Sequence, residues 1–205
     1  ISATTNNLLL KILIDEKINN NKLKKELDLI NDYSLHLSST IDDFRNFFRS
    51  DKIKNESSLN EIIEKAINII KSSFISTNIN LEINYMYKEK ILTYINEVQQ
   101  VILVILKNAE DVLEERNIKY KKIYINTFKE DNFAIITIED NAGGIIVEII
   151  DKIFDPYFST KKEKEGTGIG LYMSKIIVNE HCKGDLSVKN STKGALFTIK
   201  LPLSL

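Results

Sequence analysis

Residues that could hold a ligand are concentrated between Asp140 and Leu171. Five of the chain's seven glycines lie in this stretch. Glycine is used where the backbone must adopt a positive φ or must approach a ligand closely. Such a concentration therefore indicates a binding site rather than a set of scattered turns.

Asp140 ends a predicted buried strand and is followed directly by Asn141, Ala142 and two glycines. A carboxylate in this place can accept a hydrogen bond from a ligand donor such as an exocyclic amine, and its small neighbours leave room for a flat ring. An Asx-type turn is an equally common origin of such a sequence. This motif alone leaves both interpretations open.

Gly166–Leu171 alternates glycine with other residues and opens a predicted helix. Free backbone N–H groups at a helix start, together with the helix dipole, favour anions such as phosphate. No strand leads directly into these glycines, which distinguishes them from the dinucleotide-binding fingerprint. The charged stretch 161–165 before them predicts a mobile lid, and a solvated charge run is a compatible interpretation.

Asn108 is a third candidate, because it lies within a strongly apolar stretch, 95–116, that predicts a long helix. Val104, Asn108 and Asp111 are four and three residues apart and share one helix face. A buried amide without a partner is costly. Asn108 could supply an oxygen to Mg²⁺ that otherwise keeps waters and phosphate oxygens, or it could form a structural hydrogen bond to a neighbouring loop.

The two histidines are poorer candidates for chemistry. His36 lies one position from an apolar seam and has no acidic residue after it. His181 ends a predicted helix, where a histidine can interact with terminal carbonyls. Neither has partners at metal-ligand spacing.

Composition excludes several classes of function. The net charge of −1 provides no basic field for nucleic acid. The single cysteine, Cys182, excludes an internal disulfide and fits a reducing compartment. No apolar run reaches the roughly 18 residues of a membrane span. Because the chain starts without methionine, within a predicted helix, we expect a fragment of a longer protein whose sensor or membrane segments lie elsewhere.

The elements that must position these residues form an alternating pattern of strands and three helices. Asn55–Ser58 predicts a linker, and Ser58 with Glu61 predicts a capping box for a helix that ends near Phe74. Strands are predicted at 79–83, 90–94, 122–128, 133–139, 186–189 and 196–201, and a last helix at 171–181. This pattern predicts a two-layer α/β sandwich with one sheet and helices on one face.

Residues 1–50 contain no glycine and no proline, which favours helix. A heptad seam runs from Leu23 to Phe48, and the polar stretch 15–21 separates it from a shorter apolar segment. The sequence predicts an antiparallel helical hairpin that forms a four-helix bundle as a dimer. A hairpin packed on its own chain is the alternative. The expected fold class is therefore α+β.

In this order and spacing, the motifs resemble the ATP-binding domain of histidine kinases, within the wider gyrase, Hsp90, histidine kinase and MutL superfamily. Gln100–Ala109 resembles the N box and Asp140–Ile145 the G1 box. Phe154–Lys161 resembles the F box and Gly166–Leu171 the G2 box. Residues 1–50 resemble the dimerisation and histidine-phosphotransfer hairpin. The resemblance covers essentially the whole chain.

The resemblance implies that ATP and Mg²⁺ are the ligands. Asp140 would face the adenine amino group, Asn108 would bind the metal, and Lys161 would meet a phosphate beneath a lid spanning about 146–165. The nucleotide-binding residues that it implies are Asn108, Asp111, Asp140, Ala142, Gly144, Ile145, Phe158, Thr160, Lys161, Gly166, Thr167, Gly168, Ile169, Gly170 and Leu171.

The sequence departs from the family pattern in two important places. The family's phosphoacceptor histidine lies in the first hairpin helix, and no such motif is present in residues 1–15. No catalytic residue is therefore assigned, and this fragment alone is expected not to autophosphorylate. Val104 stands where the N box has its first Asn, and valine can neither orient water nor bind a metal. Ala142 in place of a glycine is a milder change.

We therefore predict the cytoplasmic core of a bacterial sensor histidine kinase, with a dimerisation hairpin at 1–50 and an ATP-binding domain at 51–205. It would phosphorylate a histidine upstream of the fragment and then a response-regulator aspartate. It would act as a homodimer, without nucleic acid, and reach the membrane only through other segments. The alternative is a pseudokinase, favoured by Val104. A superfamily ATPase is disfavoured by the heptad hairpin and by the lack of an N-box Glu base.

Overall fold

The structure, a computed structural model, describes residues 53–160 and 167–203, together with residues 5, 10, 23–28, 30, 31 and 34. The chain divides into two compact units, Ile1–Lys52 and Ile53–Leu205. Residues 23–28 are helical, and most of the predicted hairpin lies outside the described residues. Within the part of the chain that is described, no helix combines the length and the apolarity that crossing a bilayer requires.

The second unit is an α/β sandwich built on a mixed five-stranded sheet. Its elements are β1 (Asn55–Ser58), α1 (Leu59–Ser76), β2 (Asn80–Tyr85), β3 (Lys90–Thr93), α2 (Ile95–Glu115), β4 (Lys122–Glu130), β5 (Phe133–Asp140), a 3₁₀ helix (Val147–Lys152), α3 (Gly170–Ile176), a π-helix (Ile177–His181), β6 (Asp185–Asn190) and β7 (Ala195–Pro202). The sheet order is β2–β4–β5–β7–β6, and β2–β4 is its parallel pair. Burial alternates along β4 and β7, as expected when one face of a sheet covers the core.

The start of α1 confirms the predicted capping box. Glu61 donates its backbone N–H to Ser58 Oγ at 3.3 Å, and the Glu61 carboxylate accepts the Ser58 N–H at 3.2 Å. Two of the N–H groups that a helix start leaves without partners are thereby satisfied.

The stretch before α1 is not the predicted linker but a strand. β1 pairs with β3 in antiparallel register, which places Ser57 opposite Ile91, and both side chains are buried. Asn, Glu and Ser are uncommon in strands, so the local composition concealed the element. Pairing with a partner more than 30 residues away along the chain, visible only in the fold, determines its conformation.

A buried carboxylate fixes the rotation of α2 against α1. Glu110 accepts hydrogen bonds from Ser73 Oγ at 2.6 Å, from Thr77 Oγ1 at 3.3 Å and from Lys107 Nζ at 2.7 Å. Burying this charge is tolerable because its oxygens are satisfied. Since residues two apart on a helix point in nearly opposite directions, Asn108 is turned away from α1.

The last helix changes from α to π geometry after Ile176. At its end, His181 Nδ1 lies 3.0 Å from a carboxylate oxygen of Glu97 in the first turn of α2, which ties the two helices together. Cys182 follows and is buried, and its burial raises the pKa of the thiol to about 11. The thiol is therefore protonated at neutral pH and has a structural environment rather than a reactive one.

Candidate functional site

A cavity of about 410 Å³ opens beside α2, the end of β5 and the start of α3. Ten of the predicted site residues line it: Asn108, Asp140, Gly144, Ile145, Phe158, Thr160, Thr167, Gly168, Gly170 and Leu171. Four separate stretches of sequence therefore converge on one space: α2, the end of β5 with the loop after it, the 158–160 segment, and the turn that begins α3.

The other predicted site residues do not line the cavity or lie outside the described part of the chain. The Asp111 carboxylate is 3.1 Å from Lys107 Nζ. Ala142 is buried, and Ile169 precedes α3; neither lines the space. Lys161 and Gly166 are outside the described residues. The assignment of these five residues to nucleotide binding stays a prediction.

Asp140 lies at the closed end of the site, with only 4% of its surface exposed. Its Oδ1 accepts the backbone N–H of Ala142 at 2.8 Å and that of Ala195 at 3.3 Å. Burial raises the pKa of the Asp140 carboxyl above its ordinary value, while the two N–H groups and the Arg116 charge act in the opposite direction. Because both hydrogen bonds go to Oδ1, the carboxylate can still accept a bond from a ligand amine through its other oxygen.

Asn108 lines the cavity and is half-buried. Within the described residues its side-chain amide has no hydrogen-bond partner, and because the residue is only half-buried the amide remains open to a ligand or to water in the cavity. The described residues also contain no group of three His, Cys, Asp or Glu side chains that could enclose a metal. A single amide oxygen on the cavity wall fits Mg²⁺, which commonly takes few protein ligands and keeps water and phosphate oxygens.

The glycine turn before α3 is docked on the segment that resembles the F box. Gly168 has φ +67 and its carbonyl accepts the Tyr157 N–H at 3.1 Å. Gly170 begins α3, and a Cβ there would lie 3.2 Å from a methyl group of Val104. The turn therefore lines the cavity with Gly168 and Gly170 and rests against the hydrocarbon of Val104 on α2.

The segment 153–158 is held against the sheet by aromatic packing. The rings of Phe154 and Phe197 meet edge to face with centroids 6.5 Å apart, and Lys175 Nζ lies 5.5 Å from the centre of the Phe154 ring. Phe197 itself lines the cavity. This packing fixes the segment that contains Phe158 and precedes Thr160, and both of these residues line the cavity.

Part of the predicted lid is described. It begins with an exposed Ile146 and continues as the 3₁₀ helix, from which Ile149 faces the cavity. Ile153, just beyond that helix, also lines the space. Residues 161–165, the charged part of the predicted lid, lie outside the described residues.

Sequence reasoning missed Arg116 and Asn190. Arg116 Nη1 donates to the Ala142 carbonyl at 2.6 Å, and Asn190 binds the backbone of Ile145. Arg116 follows Asn108 and Val112 at intervals of four, so the helix-face argument applied to Asn108 could have been extended to it. No sequence pattern points to Asn190, because only the pairing of the strands brings the end of β6 close to Ile145.

Comparisons with known proteins identify the family of this chain. Residues 93–205 match the family model of histidine kinase-, DNA gyrase B- and HSP90-like ATPases. The chain belongs to this family, and within it carries the ATP-binding domain of a sensor histidine kinase.

Two curated relatives are histidine kinases from bacteria. The chain is 36% identical over 153 residues to the signal transduction histidine-protein kinase AtoS of Escherichia coli, covering 72% of this chain and 24% of AtoS. It is 30% identical over 148 residues to sporulation kinase C of Bacillus subtilis, covering 71% of this chain and 33% of that kinase. The chain thus spans a minor part of the length of each.

Solved structures share the fold. The catalytic domain of histidine kinase ThkA aligns with a TM-score of 0.65 at 23% identity, covering 73% of this chain and 95% of that domain. ThkA in complex with response regulator protein TrrA aligns with a TM-score of 0.72 at 18% identity, covering 98% of this chain and 57% of that one.

Proposed function

We propose that this chain is the kinase core of a two-component sensor, which binds Mg-ATP in the cavity and directs the γ-phosphoryl group to a histidine. The observation that carries the proposal is the convergence of Asp140, Asn108 and the 167–170 turn on one cavity of about 410 Å³. A cavity of this size can enclose most of a nucleotide. The names of the relatives support kinase activity in the family.

Each group in the cavity has a distinct part in this proposal. Asp140 accepts a hydrogen bond from the adenine amine in a buried setting. A ligand that offers no donor there would leave the carboxylate oxygen unpaired and would bind more weakly. Backbone N–H groups at Gly168 and Gly170 face the phosphates. Asn108 holds Mg²⁺, which when bound neutralises phosphate charge. The protein's contribution to phosphoryl transfer is then positioning and electrostatics.

The acceptor and partners belong to the same proposal. The acceptor is a histidine outside these 205 residues, because neither His36 nor His181 stands in the family's acceptor motif. Residues 1–50 form the dimerisation hairpin of a homodimer, and 51–205 the catalytic domain, both in the cytoplasm. The second partner is a response-regulator receiver domain, a relationship that the ThkA–TrrA complex exemplifies for its own pair.

Val104 favours one alternative, a nucleotide-binding module that does not turn over. The family pattern has an Asn at position 104. In this chain a Val104 methyl group faces Gly170 at the start of α3 instead. Hydrocarbon at this place cannot orient water or metal. Nucleotide binding would persist in this alternative, while phosphoryl transfer would not.

Mg²⁺ is expected to tighten nucleotide binding through Asn108. In calorimetric titration with a non-hydrolysable ATP analogue, adding Mg²⁺ should raise the affinity of the unmodified chain. Asn108→Ala should reduce this gain in affinity about tenfold, because it deletes a metal ligand. Its affinity without Mg²⁺ should stay within about twofold of that of the unmodified chain, because no base contact is lost. Asn84→Ala, at an exposed position of β2, is the matched control. Equal Mg²⁺ gains in both variants would contradict the metal assignment.

Phosphoryl transfer is expected to occur with Val104 in place. A chain extended to include the preceding histidine, incubated with γ-labelled ATP, should acquire acid-labile label. Val104→Asn should change the rate without being required for labelling, since Asn108 remains to hold the metal. An extended chain that becomes labelled only after Val104→Asn would overturn the kinase proposal for the natural sequence and favour the pseudokinase.

A further inference from the structure

The loop 141–146 forms one wall of the cavity through Gly144 and Ile145. It lies between β5 and the 3₁₀ helix and has no ladder of its own, so its backbone polar groups need partners from elsewhere. The positions of those partners determine whether the wall keeps its shape in the absence of a ligand.

Asn190, the last residue of β6, satisfies both backbone groups of Ile145. Its Nδ2 donates to the Ile145 carbonyl at 2.7 Å, and its Oδ1 accepts the Ile145 N–H at 2.8 Å. One side chain thus replaces the pair of bonds that a neighbouring strand would supply.

The adjoining Gly144 is shaped to this contact. It has φ +87, and a Cβ on it would lie 2.6 Å from Asn190 Oδ1. A side chain at this position would therefore displace the amide as well as strain the backbone. The close approach shows that loop and amide fit together as one unit.

The beginning of the loop is held separately. Arg116 Nη1 donates to the Ala142 carbonyl at 2.6 Å, and the Gly143 N–H donates to the Lys193 carbonyl at 3.0 Å. With its first half held by α2 and the 190–195 turn, the loop depends on Asn190 for its second half, which is the half that lines the cavity.

We propose that Asn190 is a positioning residue for nucleotide binding: by holding both polar groups of Ile145, it keeps the base-facing wall in its binding shape before the nucleotide arrives. The inference rests on the proposed nucleotide function of the cavity. Asn190 does not line the cavity and acts through the loop. Its benefit is preorganisation, which lowers the entropy lost on binding.

The test is calorimetric titration of the 205-residue chain and of Asn190→Ala with ATP, ADP and AMP. We expect an affinity loss of about tenfold, from two lost hydrogen bonds at an exposed position. The loss should be the same factor for all three nucleotides, because the wall serves the base and not the phosphates. Hydrogen exchange of the Ile145 amide should become faster in parallel.

Two further variants sharpen the result. Asn126→Ala, an asparagine on β4, should leave all affinities unchanged. Asn190→Asp keeps the acceptor for the Ile145 N–H but loses the donor, and should also weaken the binding of all three nucleotides. Unchanged affinity in both Asn190 variants, with normal binding by the unmodified chain, would overturn the inference. Absence of nucleotide binding by the unmodified chain would instead overturn the proposed function.

Discussion

Asp140→Asn is expected to lower affinity for ATP about 100-fold while the chain stays folded. The amide can retain an oxygen for the N–H groups of Ala142 and Ala195, but it then turns an NH₂ group toward the ligand amine. Two donors facing each other in a buried site forfeit a charge-assisted hydrogen bond and leave both unsatisfied. Calorimetric titration measures the loss, and Asp131→Asn in the β4–β5 turn is the matched control.

The same substitution is expected to preserve or raise stability at neutral pH. Burial raises the pKa of Asp140 above its ordinary value of 3.8, so the folded state binds its proton more tightly than the unfolded state does. The charged form therefore costs stability above the raised pKa, and this cost disappears as the pH falls through that pKa toward 3.8. Thermal unfolding across this pH window should show that the stability of the Asn variant, relative to the unmodified chain, increases as the pH rises.

Affinity and stability should thus respond to pH in opposite directions at this residue. Protonation of Asp140 relieves the cost of burying its charge but removes the carboxylate acceptor for the ligand amine. ATP affinity should therefore decrease as the pH is lowered through the raised pKa of Asp140. An Asn variant with unchanged affinity and no altered pH profile would contradict base recognition by Asp140. Opposite responses of affinity and stability would make Asp140 an instance of stability given up at a functional site.

Local signals were sufficient wherever residues close in sequence determine structure. Ser58 and Glu61 form the predicted capping box, because both partners lie within one turn. The β4–β5 hairpin and α2 have the predicted places, since a strong alternation or a long apolar stripe is set by adjacent residues. β1 was missed because its conformation comes from β3 and not from its own composition.

The candidate site was predictable to the extent that backbone constraints leave marks in sequence. Gly144 and Gly168 have positive φ, a requirement that excludes most other residues. Asp140 was visible because a carboxylate after a buried strand is unusual. Asn190 and Ala195 were not visible, because Asn190 meets Ile145 and Ala195 meets Asp140 only through the sheet order β5–β7–β6.

Gly168→Ala is expected to cost about 2 kcal/mol or more of stability in the turn and about 100-fold in ATP affinity. Its φ of +67 is unfavourable for alanine, and the Cβ would overlap the Tyr157 carbonyl group and lie 2.6 Å from Phe158 O. Since both neighbours are backbone, no rotamer change relieves the overlap, and the turn must move away from the phosphates.

Gly170→Ala is the matched comparison for Gly168→Ala, because the two glycines are neighbours in the same turn but differ in backbone φ and in what a methyl group would meet. Gly170 has no positive φ, and its Cβ would meet only methyl groups of Val104, the nearer at 3.2 Å. A side chain can shift where backbone cannot, so Gly170→Ala should cost only a few-fold in affinity, and Val104→Ala should recover most of that loss. The same second substitution should recover nothing in Gly168→Ala. Thermal unfolding and ATP titration of the four variants measure the difference, and equal losses for the two glycines would show that the turn does not depend on the backbone geometry of Gly168.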